Sequence, residues 1–200
     1  MPTGVAMRDA REQLFDAAER VLLRDGPNAL TSRAVTTEAG CAKGVLHRHF
    51  ADLDAFLTEL VLDRIGRIDH QAAALRAAAG TGTVADNLTD ALTALFGSIA
   101  LAIIGLITSR DDLRARLRQA RPTSGVPVLA EATAMIASYL TEERELGRIA
   151  ADADVDTLAL TLIGAGHLLF AHREDFPPEA GAAHKVVTTV IADVVQRRLL

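Results

Sequence analysis

Between Asp90 and Arg110 the chain carries no charged side chain, and the run ALFGSIALAIIGLI inside that stretch is apolar nearly all round. A helix with no polar face must be enclosed, either by the rest of a protein core or by lipid. The stretch is nearly long enough to cross a bilayer. Thr93, Ser98, Thr108 and the glycine interruptions dilute it, so a buried central helix accounts for it better than a membrane span. Leu92, Phe96, Ile99 and Ile103 make one stripe, while Leu95 and Leu106 cover much of the remaining surface. Other helices must therefore surround this one.

The rest of the chain can supply them. Aromatic residues are only 4% of the sequence, alanine and leucine dominate, and apolar residues recur at three- and four-residue intervals. That pattern favours helices over half-buried strands, and the expected fold is all-α. The spacing predicts helices over about 7–24, 31–38, 42–49, 52–78, 84–109, 111–119, 126–146, 155–174 and 181–199. Breaks are expected at Asp25-Gly26-Pro27-Asn28, Gly80-Thr81-Gly82, Pro122 to Pro127, Gly147 to Asp154 and Phe176-Pro177-Pro178.

The N-terminal helices differ in length from the others. A longer helix is followed by a short one capped by Thr31, a break at Ala39-Gly40-Cys41 in which Gly40 can take positive φ, and a second short helix closed by Phe50. This is the layout of a helix-turn-helix that places side chains of its second short helix in the DNA major groove. Leu30, Val35, Cys41, Leu46 and Phe50 can face inward with Leu14, Ala18 and Leu22. Arg33, Lys43, Val45, His47, Arg48 and His49 are left to be divided between solvent, DNA and packing.

The net charge of −5 argues against nucleic acid only until its distribution is considered. Residues 1–50 carry seven Lys/Arg against six Asp/Glu, a balance of +1, so the remainder holds −6 and the acidity lies outside the N-terminal unit. Cation content matters because phosphate binding is driven by counterion release.

The segment LTSRAVTTEAGCAKGVLHRHFADLDAF resembles the signature of the TetR family of bacterial regulators. The matching residues are Leu30-Thr31, Val35-Thr36, Ala39-Gly40-Cys41-Ala42, Lys43-Gly44, Leu46-His47 and His49-Phe50, and the match covers about residues 8–60. The resemblance implies a three-helix DNA-binding domain at 1–52 and a helical ligand-binding and dimerisation domain at 53–200. It also implies a homodimeric transcriptional regulator, a repressor, acting on palindromic double-stranded DNA. The expected DNA-binding residues are Thr31, Arg33, Lys43, Gly44, His47 and Arg48. Three departures from the family pattern weaken backbone affinity: His47 stands for a phosphate-binding Tyr, Ala42 for a Ser or Thr cap, and Leu53 for a Lys. Arg8, Arg11 and Arg48 are candidates to replace the lost contacts.

No catalytic constellation or phosphate-cradling glycine loop is legible, so no enzyme activity and no cofactor are expected. His47 and His49 stand two apart on a helix and do not face one another, which argues against a metal site; His49 is expected to pack and hydrogen-bond within the three-helix unit. Gly164-Ala165-Gly166 lies in an apolar helical pattern and reads as close helix packing, with His167 a core histidine. The single cysteine, Cys41, excludes an internal disulfide, and MPTGVAMRDAREQ has no apolar core for a secretory signal, so a reduced cytoplasm is the expected location. The competing function classes are an enzyme built on a helical bundle and a membrane-associated helical protein.

Two further expectations concern the C-terminal helices. Leu158, Leu162, Ala165 and Leu169, with Val187, Ile191 and Val194, form stripes that would close a four-helix bundle between two copies. Leu62, Ile65, Phe96, Ile99, Ile103, Met135, Tyr139, His167 and Phe170 are expected to frame a pocket for a small apolar or amphipathic, largely uncharged ligand. The competing reading of these residues is a fully packed core.

Overall fold

The N-terminal helix α1, Gly4–Asp25, buries one stripe made by Leu14, Phe15, Ala18, Val21 and Leu22. The structure is a computed structural model that describes residues 4–97, 99–122, 125–171 and 178–195, with side chains from residue 10 onward. After a short 3-10 turn at Pro27–Ala29 come α2, Ser32–Glu38, and α3, Gly44–His49. The Thr31 hydroxyl accepts from the Ala34 amide at 3.1 Å, which caps α2 as its sequence position requires. Gly40 turns the chain between α2 and α3 at φ +65°, a conformation that costs glycine nothing. α3 starts at Gly44 and not at Ala42. Alanine has no side-chain oxygen to cap the first turn, and entry is made by the backbone, with the Val45 amide donating to the Ala42 carbonyl at 2.9 Å.

α4 follows as Leu53–Ala77, opened by Asp52, whose carboxylate accepts from the Ala55 amide at 2.6 Å. Next come α5, Val84–Phe96, α6, Ala100–Ser109, α7, Asp111–Ala120, α8, Pro127–Glu145, α9, Val155–Phe170, and α10, Ala182–Ile191. Thr83 and Asp154 cap α5 and α9 through bonds to Asp86 and Thr157 amides. No strand occurs among the described residues; Ile149 and Val195 form one isolated bridge. No single described helix is long and apolar enough to cross a membrane.

Two helical expectations need correction. The single helix expected over 84–109 is two. The Gly97 amide closes a tight last turn onto the Thr93 carbonyl at 2.7 Å, and a Cβ at Gly97 would stand 2.3 Å from that oxygen, so the break is made where only glycine fits. α10 ends at Ile191, where the Val194 carbonyl leaves the helical ladder to accept from the Ala150 amide at 2.6 Å; the expected end at Leu199 lies outside the described residues. α9 ends at Phe170, and the expected extension to Glu174 and the break at Phe176-Pro177 also lie outside them.

The chain forms two compact units, each discontinuous in sequence: residues 1–64 with 102–126, and residues 65–101 with 127–200. In the first, Phe15, Phe50 and Phe56 cluster with ring centroids 5.0–6.0 Å apart over a core that includes Leu30, Val35, Leu46 and Leu60. In the second, α8 and α9 pack on one another and α10 packs on α5 and α9. Leu88, Leu92, Phe96, Ile136, Tyr139, Leu162 and Val187 fill its interior.

Candidate nucleic-acid interface

Leu46 is the one fully buried residue of α3, and its burial sets the orientation of the whole short helix. Residues three and four positions apart share a helix face. Gly44, His47 and Arg48 therefore turn away from Leu46, Lys43 stands at the N-cap of the helix, and all four are exposed. Val45 and His49 lie half-buried at its flanks. On α2, Arg33 is exposed, and Thr37, one turn later, is exposed as well. Sequence reasoning missed Thr37, although its spacing from Arg33 was visible.

The ion pairs separate structural cations from available ones. Arg11 pairs with Glu59 and lies 4.8 Å from the Phe50 ring centre, so it holds α1 to the helix-turn-helix and α4. Arg20 and Arg24 both grip Glu38 at the end of α2, at 2.7 and 2.9 Å, and Arg24 also binds Asp25 at 2.8 Å. These partners hold the Glu38 carboxyl below the usual carboxylate range, the Arg20 hydrogen bond acting most strongly. Arg64 is 6% exposed and pairs with Glu19 and Asp63. By contrast, Arg33, Lys43 and Arg48 have no ion pair among the described residues.

Arg11 is thus corrected from a substitute phosphate contact to a packing residue, because Glu59 and the Phe50 face already occupy its guanidinium. The Arg8 side chain lies outside the described residues. His49 is corrected in part: its ring lies 6.4 Å from that of Phe50, but it makes no hydrogen bond among the described residues.

Residues far along the chain help position this interface. Arg110 Nη2 donates to the Leu30 carbonyl at 2.9 Å, immediately before the Thr31 cap, and Nη1 lies 3.6 Å from Asp54 Oδ1. Arg116 Nη2 donates to Asp52 at 2.9 Å. The entry to α2 and the start of α4 are both tied to the α7 region within the first unit. Nothing in the local sequence could have shown a bond across such a separation.

The residues expected at a ligand pocket are distributed differently. Leu62 and Ile103 belong to the first unit, and Ile65, Phe96, Ile99, Met135, Tyr139, His167 and Phe170 to the second. Phe96 stacks on Phe170 with centroids 6.0 Å apart and lies 6.3 Å from the His167 ring; a Cβ at Gly166 would meet the Phe96 ring at 2.7 Å. These aromatic residues fill their own space. An open pocket of about 270 Å³ lies beside them in the second unit, lined by Gln71, Ala74, Leu75, Ala78, Asn87, Asp90, Ala91, Ala94 and Met135. Of the expected residues only Met135 lines it.

Tyr139 belongs to a buried polar chain. Its hydroxyl accepts from Asn87 Nδ2 at 3.0 Å, and burial first, then the nearby Glu143 carboxylate, pushes the phenol well above its ordinary value. Glu143 is fully buried and also accepts from the Gly80 amide at 3.2 Å, with Arg148 Nε 3.2 Å from its other oxygen.

The stripes assigned to a dimer are largely used inside the protomer. Leu162, Val187 and Ile191 are buried in the core of the second unit, and Leu158, Ala165, Leu169 and Val194 are half-buried. The apolar residues that α9 leaves in solvent are Leu160 and Leu168, 65% and 70% exposed, with exposed Gly164 between them at four-residue steps. Gly166, expected to allow close helix packing, is covered by the chain's own Phe96.

Residues 14–60 match the N-terminal domain of the bacterial regulatory proteins of the TetR family. No curated protein matches the chain. Among solved structures, NemR of E. coli in its reduced form is similar at a TM-score of 0.75 and 13% identity, over 95% of this chain and 100% of that one. FadR of Bacillus subtilis, a transcriptional regulator solved in complex with stearoyl-CoA, is similar at 0.68 and 19% identity, over 91% and 98% of the two chains. A TetR-family transcriptional regulator of Haemophilus influenzae is similar at 0.63 and 16% identity, over 96% and 99%. Residues 14–60 thus match the N-terminal domain of the TetR family of bacterial regulatory proteins, and the chain as a whole shares its fold with these solved structures.

Proposed function

We propose that the protein is a cytoplasmic, homodimeric repressor that binds a palindromic operator through α2 and α3 and whose operator affinity is modulated by a small apolar or amphipathic ligand. The observation that carries the DNA reading is the exposed face of Lys43, Gly44, His47 and Arg48, with cations free of acidic partners while Arg11, Arg20 and Arg24 are all paired. In this reading Lys43, His47 and Arg48 contact DNA, Gly44 allows close backbone approach, and Thr31 and Arg33 border the site from α2. The functional boundary is placed after residue 52. Two copies place two reading heads on half-sites related by a two-fold axis, and the exposed Leu160–Gly164–Leu168 stripe of α9 supports self-association better than the buried Leu162. The pocket in the second unit supports ligand control, and a regulator of this fold from Bacillus subtilis was solved with stearoyl-CoA. The long α4, which begins at the reading head and runs continuously to Ala77, is the path by which a ligand would favour one separation of the heads over another.

Selecting binding sequences from a random duplex pool, then measuring mobility shifts on the enriched site, tests the reading directly. The enriched site is expected to be palindromic. Lys43→Ala and Arg48→Ala are each expected to weaken binding to specific and unrelated duplexes by similar factors. Each should also reduce the slope of log affinity against log salt by about one, as loss of a phosphate contact does. Full affinity and an unchanged slope in both variants would move the interface elsewhere.

A further inference from the structure

The pocket between the C-terminal part of α4, α5 and α8 has an unusual polar inventory. Its walls are apolar where Ala74, Leu75, Ala78, Ala91, Ala94 and Met135 line them, and its polar groups are Gln71, Asn87 and Asp90. Asn87 Nδ2 is committed. It points at three oxygens, the carbonyls of Thr81 at 3.0 Å and Ala78 at 3.3 Å and the Tyr139 hydroxyl at 3.0 Å, which identifies it as the nitrogen and leaves Oδ1 as the acceptor. The Tyr139 hydroxyl does not itself line the space. Asp90 is exposed at the pocket and has no ion-pair partner among the described residues. No Lys, Arg or His lines the space.

The groups offered to an occupant are therefore the Gln71 amide, which both donates and accepts, the Asn87 acceptor and one negative charge. A carboxylate or phosphate placed here would meet no cation and would face Asp90, whereas a protonated amine would find both a counter-charge and acceptors for its hydrogens. The alanine walls and Met135 suit a compact apolar body, and 270 Å³ is just below the roughly 300–1,000 Å³ of ordinary ligand pockets, so the occupant is small. We infer that this pocket binds a small amphipathic organic cation, a protonated amine on an apolar body, with Asp90 as the counter-charge at its mouth. The inference rests on the ligand-controlled reading above and narrows its ligand from largely uncharged to cationic.

The test uses the full-length protein and three probes of one shape: 2-phenylethylamine, 2-phenylethanol and 3-phenylpropanoate, titrated by ligand-observed NMR. The amine is expected to bind most tightly and the carboxylate least. Asp90→Asn is expected to weaken the amine by roughly three- to fivefold, as for a partly exposed ion pair, and to leave the alcohol unchanged. Ala94→Phe, on an exposed wall where a larger side chain displaces nothing in the core, is expected to reduce binding of amine and alcohol alike. Tighter binding of the carboxylate, amine binding indifferent to Asp90→Asn or to Ala94→Phe, or no binding by any probe overturns the assignment. Operator affinity, measured on the enriched duplex, separates the two proposals. Asp90-dependent amine binding without effect on DNA supports the cation site and refutes ligand control. A carboxylate that changes DNA affinity equally in wild type and Asp90→Asn supports ligand control and overturns the cation site.

Discussion

Replacing Leu160 and Leu168 together with glutamate is expected to give a folded monomer that has lost most of its operator affinity. The two side chains are 65% and 70% exposed within one protomer, so the substitutions should change the stability of the isolated fold by about 0.5 kcal/mol or less. In a two-fold interface each charge would be buried without a partner, at a cost of about 2–5 kcal/mol each if no water reaches it. Binding to a palindrome would then fall by roughly 10²–10⁴, the range by which linked sites exceed a single one. Sedimentation gives the mass and circular dichroism confirms the helix content. A dimer that survives in the double variant removes α9 from the interface. Leu162→Glu is a different experiment: Leu162 has no exposed surface in the protomer, so this change is expected to unfold the chain rather than separate two folded copies.

Arg148→Met is expected to lower stability by about 2–3 kcal/mol, a fall of roughly 5–10 °C in melting temperature for a domain of this size. Arg148 faces the fully buried Glu143 carboxylate at 3.2 Å and donates to the carbonyls of Gly82 at 2.6 Å and Thr81 at 3.3 Å. Methionine keeps the length of the side chain but leaves the carboxylate with one neutral donor, the Gly80 amide. The upper end of the range for broken buried pairs is not reached, since Arg148 is itself 24% exposed and water can replace part of it. Glu143→Gln in the Arg148→Met background removes the stranded charge and keeps an acceptor for the Gly80 amide, so it should restore about half the loss. A single-variant loss below about 0.5 kcal/mol would show that the pair contributes nothing measurable.

Local interactions made the reading head legible. The Thr31 cap, the positive φ of Gly40 and the inward face ending in Leu46 and Phe50 are each satisfied within a few residues, and helix periodicity alone separates His47 and Arg48 from Leu46. Which arginines remain unpaired was not legible in the same way. Arg11 is one turn from the first core residues of α1 and is as basic as Arg48, but Glu59 and Phe50, distant in sequence, occupy it. The ligand residues were placed less well for a related reason. Treating 84–109 as one helix put Phe96 and Ile103 on a common stripe, whereas the helix breaks at Gly97 and the two residues belong to separate units, divided after residue 101. The α9 stripe expected at a dimer seam is in part taken up within the protomer, because an apolar stripe does not say whether its partner is in the same chain; Leu162, Val187 and Ile191 are buried in the core of the second unit.

By itself, then, the sequence determined the helical class, the places where most helices begin, and the domain at 14–60, all of which depend on periodicity, caps and turns that act over one or two helical turns. The tertiary structure alone decided which charges remain free for phosphate, which leucines of α9 face solvent, and which polar atoms border an open pocket. Those are properties of pairing between distant segments: a cation is available only if no acid reaches it, and a cavity exists only where neighbouring side chains fail to fill the space.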